Sequence, residues 1–433
     1  MKVKLLVIVL LIVAGIAALA LSAGTEVARQ QEYNQALTAA RRYADREIPY
    51  MAVQYYLKAI GMKNDDEEVY REYLAQAKKL GRDYYKTAKE NYIPSFPNSP
   101  QAYEDICTEQ YESQDYSKAA ATAKEAGHRG IATEKVKEIY FDSFYRYRYI
   151  NTGMTVAESF VGYYARIAYG TLYGIMDYTG KFTIAPKYLD ISELVGSTLA
   201  VKDDQECYII NLEGYKVART SAPVDSMSFL SAGHILISKS GRWGYTDTTL
   251  TIPEQLPYEA ATNYSYGVAA VKQNGRWALI GRDDQPITDY VFEDVILSES
   301  NCCISAGVIF AKQNGKYFMF NEKGERLNDQ GFDNACLFED ADSLAAVCVD
   351  GKWGFIDNSG NMVIKPTYSE ARSFSIGLAP VSDNGMWGYI NTSGEYRISP
   401  TFEDAKPFAA SGIAAVKENE VWNYIQLLGY YNE

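Results

Sequence analysis

From Met154 to the C-terminus the chain repeats a short pattern, and a fixed period of this kind dictates architecture before any single residue does. The clearest copies read Lys352-Trp-Gly-Phe-Ile-Asp-Asn-Ser-Gly360 and Met386-Trp-Gly-Tyr-Ile-Asn-Thr-Ser-Gly394. Aligned on the position before the first Gly, the copies fall at Tyr173, Cys207, Trp243, Trp277, Tyr317, Trp353, Trp387 and Trp422. The steps between them are 34, 36, 34, 40, 36, 34 and 35 residues. A unit this short cannot bury its apolar face alone, so neighbouring units must stack.

Further columns run through the array. A Gly stands seven residues after the aromatic at Gly180, Gly214, Gly324, Gly360 and Gly394, and the apolar stretch before it is closed by Asp or Asn, at Asp177, Asn211, Asp247, Asn321, Asp357 and Asn391 across the copies. An aromatic and β-branched stretch running into Asn/Asp and Gly predicts a strand entering a tight hairpin, because these residues tolerate positive φ. The next strand is expected to end at Pro186, Pro366 or Pro400, with an aromatic two residues on at Tyr188, Tyr368 or Phe402. Proline removes a ladder donor and belongs at a strand end or edge. An acidic column follows at Asp190, Glu370 and Asp404, predicted to bond turn amides. A last strand such as Leu378-Ala-Pro-Val381 leads into the next copy, giving seven or eight units of about three strands.

This pattern resembles the WG repeat family, with a Trp-Gly strand, a Gly turn and an Ile-x-Pro-x-aromatic strand. The resemblance spans roughly Met154 to Gln426, and its defining positions are Tyr173, Trp243, Gly244, Trp277, Tyr317, Trp353, Gly354, Trp387, Gly388 and Trp422. Cys207 and Tyr317 lack the Trp-Gly pair, and Ala278 stands where a Gly is expected. The resemblance implies a repeat architecture and an interaction role, and it supplies no catalytic residues. Three-stranded units close radially into a propeller-like ring or stack into an open β-solenoid. The ring is the expectation. After Trp422 little chain remains for another strand, so a ring would have to borrow one from the start of the array.

At the N-terminus, Leu5 to Ala23 is free of charge and proline. Nineteen helical residues span about 30 Å, the thickness of a bilayer core. The reading is a transmembrane anchor over 5–23 behind a cytoplasmic tail at 1–4, Lys2 and Lys4 holding that tail inside and the later domains outside. The alternative is a cleaved signal peptide and a secreted protein.

Residues 27–148 carry Ala, Lys, Glu and Tyr at helical spacing. Ala40, Tyr43, Ala52, Tyr56 and Ala59 resemble the small and aromatic positions of a tetratricopeptide repeat, and Asp115 to Gly127 looks like the second helix of another, capped at Gly127. The whole is therefore expected to be a multidomain α+β chain: an anchor, a helical domain at 27–148 and an all-β repeat domain at 154–433.

A net charge of −13 over 433 residues leaves no basic face for nucleic acid. Six cysteines lack metal-site spacing and are expected to be small core residues. With only His128 and His234, a histidine-dependent triad or zinc centre is hard to build. No phosphate loop occurs, and the Asp357-Asn-Ser-Gly360 turn lacks a full calcium-ligand spacing. No catalytic, cofactor or metal-binding set is assigned. The function expected is a non-enzymatic, membrane-anchored scaffold of bacterial surface type that binds unidentified proteins. The alternative is a glycan or envelope-polymer binder that stacks sugars on exposed aromatics.

Overall fold

The structure, a computed structural model, describes residues 26–430. The chain divides into two compact units, Met1–Ser143 and Phe144–Glu433.

The first unit is helical. Residues 26–45 form a helix, followed by helices Pro49–Met62, Glu67–Leu80, Arg82–Glu90, Tyr92–Ser95, Pro100–Glu112, Tyr116–His128 and Glu134–Phe144. Small residues let these helices approach: Ala40, Ala52, Ala59, Ala77 and Ala102 are fully buried. Tyrosines fill the remaining gaps and turn their hydroxyls to carboxylates, Tyr56 to Glu72 at 2.8 Å and Tyr103 to Glu125 at 2.9 Å. The helix of Asp115 is N-capped by that residue's side chain. It passes through Gly127 and ends at His128; the left-handed residue of the stop is Gly130, with φ of 71°.

The second unit consists of small antiparallel sheets, eight among the described residues, each of two to four strands. A complete sheet has a two-residue strand, two central strands and an outer one, as in Glu370–Ala371, Leu378–Asp383, Met386–Asn391 and Tyr396–Phe402. The central strands meet at type I′-like turns with two consecutive positive φ values, for instance Asn274-Gly275 and Asn384-Gly385. Inward residues of adjacent sheets interdigitate. Ala346, Phe355, Phe374, Val381 and Ile390 pack as one cluster. The sheet of Ile413–Glu418 and Val421–Leu427 takes its outermost strand from the start of the unit, Tyr147–Met154, paired from Tyr147 opposite Leu427 to Met154 opposite Trp422.

Two expectations are corrected. The strands form separate small sheets, and neither a closed barrel nor a propeller is built from them. In the middle of the array the sheet of Ile309–Gln313 and Lys316–Phe320 keeps only two strands, flanked by single bridges. The single-pass membrane topology is also corrected: no helix among the described residues is long and apolar enough to cross a membrane. The longest helix there, 26–45, carries charges at Glu26, Arg29, Glu32, Arg41, Arg42 and Asp45. Residues 5–23, on which the anchor reading fell, lie outside the described residues.

Local expectations fare differently. Asp177 Oδ1 accepts the Thr179 and Lys181 amides, and Asp357, Asn321 and Asn391 repeat the pair. Asp190 and Asp404 each accept the following amide, at 2.9 and 2.8 Å. The outer strands do not stop at proline. They run through Pro186, Pro366 and Pro400 at a bulge, bringing Tyr188, Tyr368 and Phe402 opposite Tyr173, Trp353 and Trp387.

Candidate functional site

The repeat-defining aromatics all lie on strands. Trp277, Trp387 and Tyr317 are buried, and Tyr173, Trp243, Trp353 and Trp422 are half-buried. Most carry a cation near the ring: Lys272 by Trp277, Lys312 by Tyr317, Arg372 by Trp387, Lys406 by Trp422 and Arg166 by Tyr173, at 4.6 to 5.9 Å. The glycine after the aromatic is required by close approach. A Cβ on Gly354 would lie 2.5 Å from the Ile364 carbonyl oxygen, and one on Gly388 2.6 Å from that of Ile398. A Cβ on Gly244 would meet the Leu256 side chain at 3.0 Å. Where Ala278 or Phe318 takes the glycine's place, the regular outer strand is lost, and a side-chain oxygen substitutes in the ladder. Thr288 accepts from the Leu279 amide and Asn328 from the Met319 amide.

These residues build the units. A different set converges where units distant in sequence meet. The step of 40 residues between Trp277 and Tyr317 contains a segment around Ser298 to Cys302 that touches several other units. Glu299 accepts the Ser159 amide at 2.8 Å and pairs with Lys406 at 2.6 Å. The Ser300 hydroxyl donates to Glu193, and its carbonyl accepts from Asn263 Nδ2 at 2.7 Å. Asn301 closes the segment with φ of 53°, its carbonyl accepting the Asn263 amide and its side chain donating to the Ala261 carbonyl.

Beside this segment, Arg166 pairs bidentately with Glu158 and donates to the Ile191 carbonyl at 2.9 Å. The corresponding Arg372 bonds Asp404 at 2.7 Å and the Ala405 carbonyl. Burial raises the Glu193 carboxyl above its ordinary value, the Ser300 hydroxyl opposing and Glu158 reinforcing. Burial would raise Glu299 too, but Lys406 and Ser159 outweigh it and hold that carboxyl below its ordinary value. Glu339 is open to water yet hemmed in by protein; that setting, with Glu299 and Asp340 adding repulsion, pushes its carboxyl to about 7.

None of these convergent residues was among the expected site positions. Their signal was the one long step in an otherwise regular period. The other column that escaped notice is acidic: Asp225, Glu259, Glu293, Asp333 and Glu403 each accept amides of a hairpin turn. The six cysteines are free thiols, five of them buried. Burial pushes Cys207 and Cys302 up to about 11, so these are packing residues rather than nucleophiles.

Residues 256–277, 353–387 and 387–422 match the family model described as WG containing repeat. The array carries WG containing repeats. The matched segments hold Trp277, the Trp353-Gly354 and Trp387-Gly388 pairs, and the outer strands that cross those glycines. No curated protein matches the chain in sequence. Among solved structures, the chain is similar to a eukaryotic initiation factor at 12% identity, over 64% of this chain and 85% of that one, with a TM-score of 0.44. A dihydro-heme d1 dehydrogenase, NirN, gives 11% identity over 57% and 66% of the two chains and a TM-score of 0.37. The AfRom2 CNH domain gives 8% identity over 64% and 99%, with a TM-score of 0.35. At such scores the likeness carries no argument about function.

Proposed function

We propose that the chain is a non-enzymatic interaction scaffold whose WG repeats hold a binding rim for a protein partner. One observation carries this reading: exposed apolar side chains recur at equivalent turns of different units. Val161, Val195 and Tyr266 each stand just before the Gly that opens the next strand, and Tyr163 follows the first of those glycines. Tyr266 is 66% exposed and holds φ of 51°. A bulky residue in the left-handed region costs stability and gains no burial here, which favours a role at the surface. Exposed aromatics with a polar hydroxyl suit protein interfaces. The helical unit, similar to tetratricopeptide repeats in its small and aromatic columns, supplies a second surface of the same kind.

Glycan stacking draws less support. It needs the repeated Trp rings free, whereas those rings are buried or half-buried and mostly flanked by lysine or arginine.

The test is affinity capture from a lysate of the source cells with the full chain and with a Tyr163→Ser, Tyr266→Ser variant of unchanged melting temperature. A protein retained by the parent and lost by the variant is the expected result. Identical protein sets from both baits would remove the rim from the reading. Retention of polysaccharide alone would move the function to glycan binding.

A further inference from the structure

Asn-Gly occurs three times in the chain, at Asn274-Gly275, Asn314-Gly315 and Asn384-Gly385. All three fall at the same place, the two-residue turn between the central strands of a unit, and all three are exposed. In each, both residues have positive φ, between 48° and 81°. Sequence and backbone are therefore matched, and what differs is how the turn is held.

Two of the turns are held by a carboxylate. Glu259 accepts the Asn274 amide at 2.9 Å and the Gly275 amide at 3.0 Å, and Glu293 accepts the Gly315 amide at 3.1 Å. The backbone places both acids in the same way. The Glu259 amide donates to the Lys272 carbonyl and the Glu293 amide to the Lys312 carbonyl, each two residues before the asparagine. In the seventh unit the Ser369 amide makes that bond, to the Ser382 carbonyl, so Ser369 stands in the acidic column. Its hydroxyl also donates to the Ser382 carbonyl, at 3.0 Å. Among the described residues no carboxylate meets the Asn384 or the Gly385 amide.

We propose that Asn384 is a site of spontaneous deamidation, and that Glu259 and Glu293 protect its two counterparts. The Gly385 nitrogen gives its proton to a solvent base and bonds to the Asn384 side-chain carbonyl carbon. The side-chain nitrogen takes up a proton, its bond to that carbon breaks, and it leaves as ammonia. Water then opens the cyclic imide at either carbonyl, which yields aspartate or isoaspartate. Glycine suits the step because no Cβ crowds the attacking nitrogen. A carboxylate that accepts the glycine N–H opposes the step twice. Its charge disfavours loss of the amide proton, and its charge-assisted hydrogen bond must break before the turn can rotate to bring nitrogen and carbon together. The product places a carboxylate next to Asp383, and as isoaspartate it adds one backbone atom to a turn of two residues. The hairpin of the seventh unit is thereby open to a slow change in charge and shape that the fourth and fifth units resist.

Incubating the full chain in mildly alkaline buffer, followed by peptic digestion at low pH and mass spectrometry of the three turns, tests this. Conversion at Asn384 should run about tenfold faster than at Asn274 or Asn314, the rate equivalent of a hydrogen bond to a charged group. In urea at the same pH the three should convert at similar rates. Two exchanges within the column read the cause. Ser369→Glu should slow Asn384, and Glu259→Ser should speed Asn274, each by about tenfold. Circular dichroism melts establish that each variant is folded; if either is not, the parent's rates with and without urea decide the matter. Asn274 or Asn314 converting as fast as Asn384, an unequal order that persists in urea, or an unchanged Asn384 rate in folded Ser369→Glu would each overturn the proposal.

Discussion

Lys406 Nζ lies 2.6 Å from Glu299 Oε1, an ion pair joining the long insert to a unit near the end of the array. The lysine is 13% exposed at its side chain and the glutamate 42%, so the pair is screened on one side only. Lys406→Met should lower stability by about 1–2 kcal/mol, a figure discounted for the open carboxylate. Glu299→Gln should cost at least as much, because it leaves the more buried Lys406 ammonium without its counter-ion, although the amide oxygen can still accept from Ser159. The pH dependence follows in sign. The folded state holds Glu299 below its ordinary value of 4.5, so its share of stability is present above 4.5 and is lost as pH falls through the lowered value. Thermal melts should show a smaller acid loss in Lys406→Met than in the parent. Equal losses would mean that the pair does not hold the insert.

Gly354 is the cleanest probe of why Trp is followed by Gly. With Ile364 O at 2.5 Å from the position of an added Cβ, and backbone atoms of Lys365 and Pro366 within 2.9 Å, nothing flexible is present to yield. Gly354→Ala should cost about 3 kcal/mol, the upper end of overpacking penalties. The reverse change at the fourth unit, Ala278→Gly, should cost about 1 kcal/mol or less through backbone entropy and gain nothing, since the following segment pairs there only through single bridges and the Thr288 side chain. Urea denaturation of the two variants separates these cases. Similar losses in both would show that propensity, not close approach, selects the glycine.

What was legible in the sequence was what the chain decides locally. The Asp177 and Asp357 turns, the Gly after Trp and the aromatic two residues after each Pro are set by residues within about one unit, so the period displays them. The alanine columns of the helical unit were readable for the same reason. The convergence of Ser159, Glu193, Asn263 and Lys406 on one insert is set by how distant units meet, and no spacing rule reports it. That the start of the array completes the last unit is suggested by how little chain follows Trp422, but the register, Tyr147 opposite Leu427, is set by a partner at the other end of the array and no spacing displays it. The turn-capping carboxylates escaped because the spacing to their amides varies, from Asp225 and Ser240 to Glu293 and Gly315.

Trp387 and Trp353 occupy the same column in different surroundings. Trp387 is buried at 5% exposure, with the Arg372 guanidinium 4.6 Å from its ring, whereas Trp353 is half-buried. Trp387→Ala should therefore cost about 3–5 kcal/mol, the range for a buried aromatic, and Trp353→Ala distinctly less. Guanidinium denaturation gives both values. A Trp353→Ala loss equal to that of Trp387→Ala would show that the column, not local burial, sets the energy.

Glu339 gives the pH response its second limb. Its carboxyl is raised toward about 7 from an ordinary 4.5, the surrounding protein mass first and the charges of Glu299 and Asp340 after it, with the water that reaches the exposed side chain working against the rise. The folded state thus holds the proton more tightly than the unfolded chain. Ionising the group then works against folding, so stability should decline as pH rises from 4.5 toward 7 and level off above. Glu193, also raised, adds to the decline with the same sign. Glu339→Gln removes one titrating group while keeping its shape, so melts at about pH 5 and about pH 8 should lie closer together than in the parent. Because Glu193 still titrates, a slope should remain, and it should shrink again in the Glu193→Gln, Glu339→Gln double variant. A parent whose stability rises over this interval, or a single variant with an unchanged slope, would place the charge coupling elsewhere in the chain.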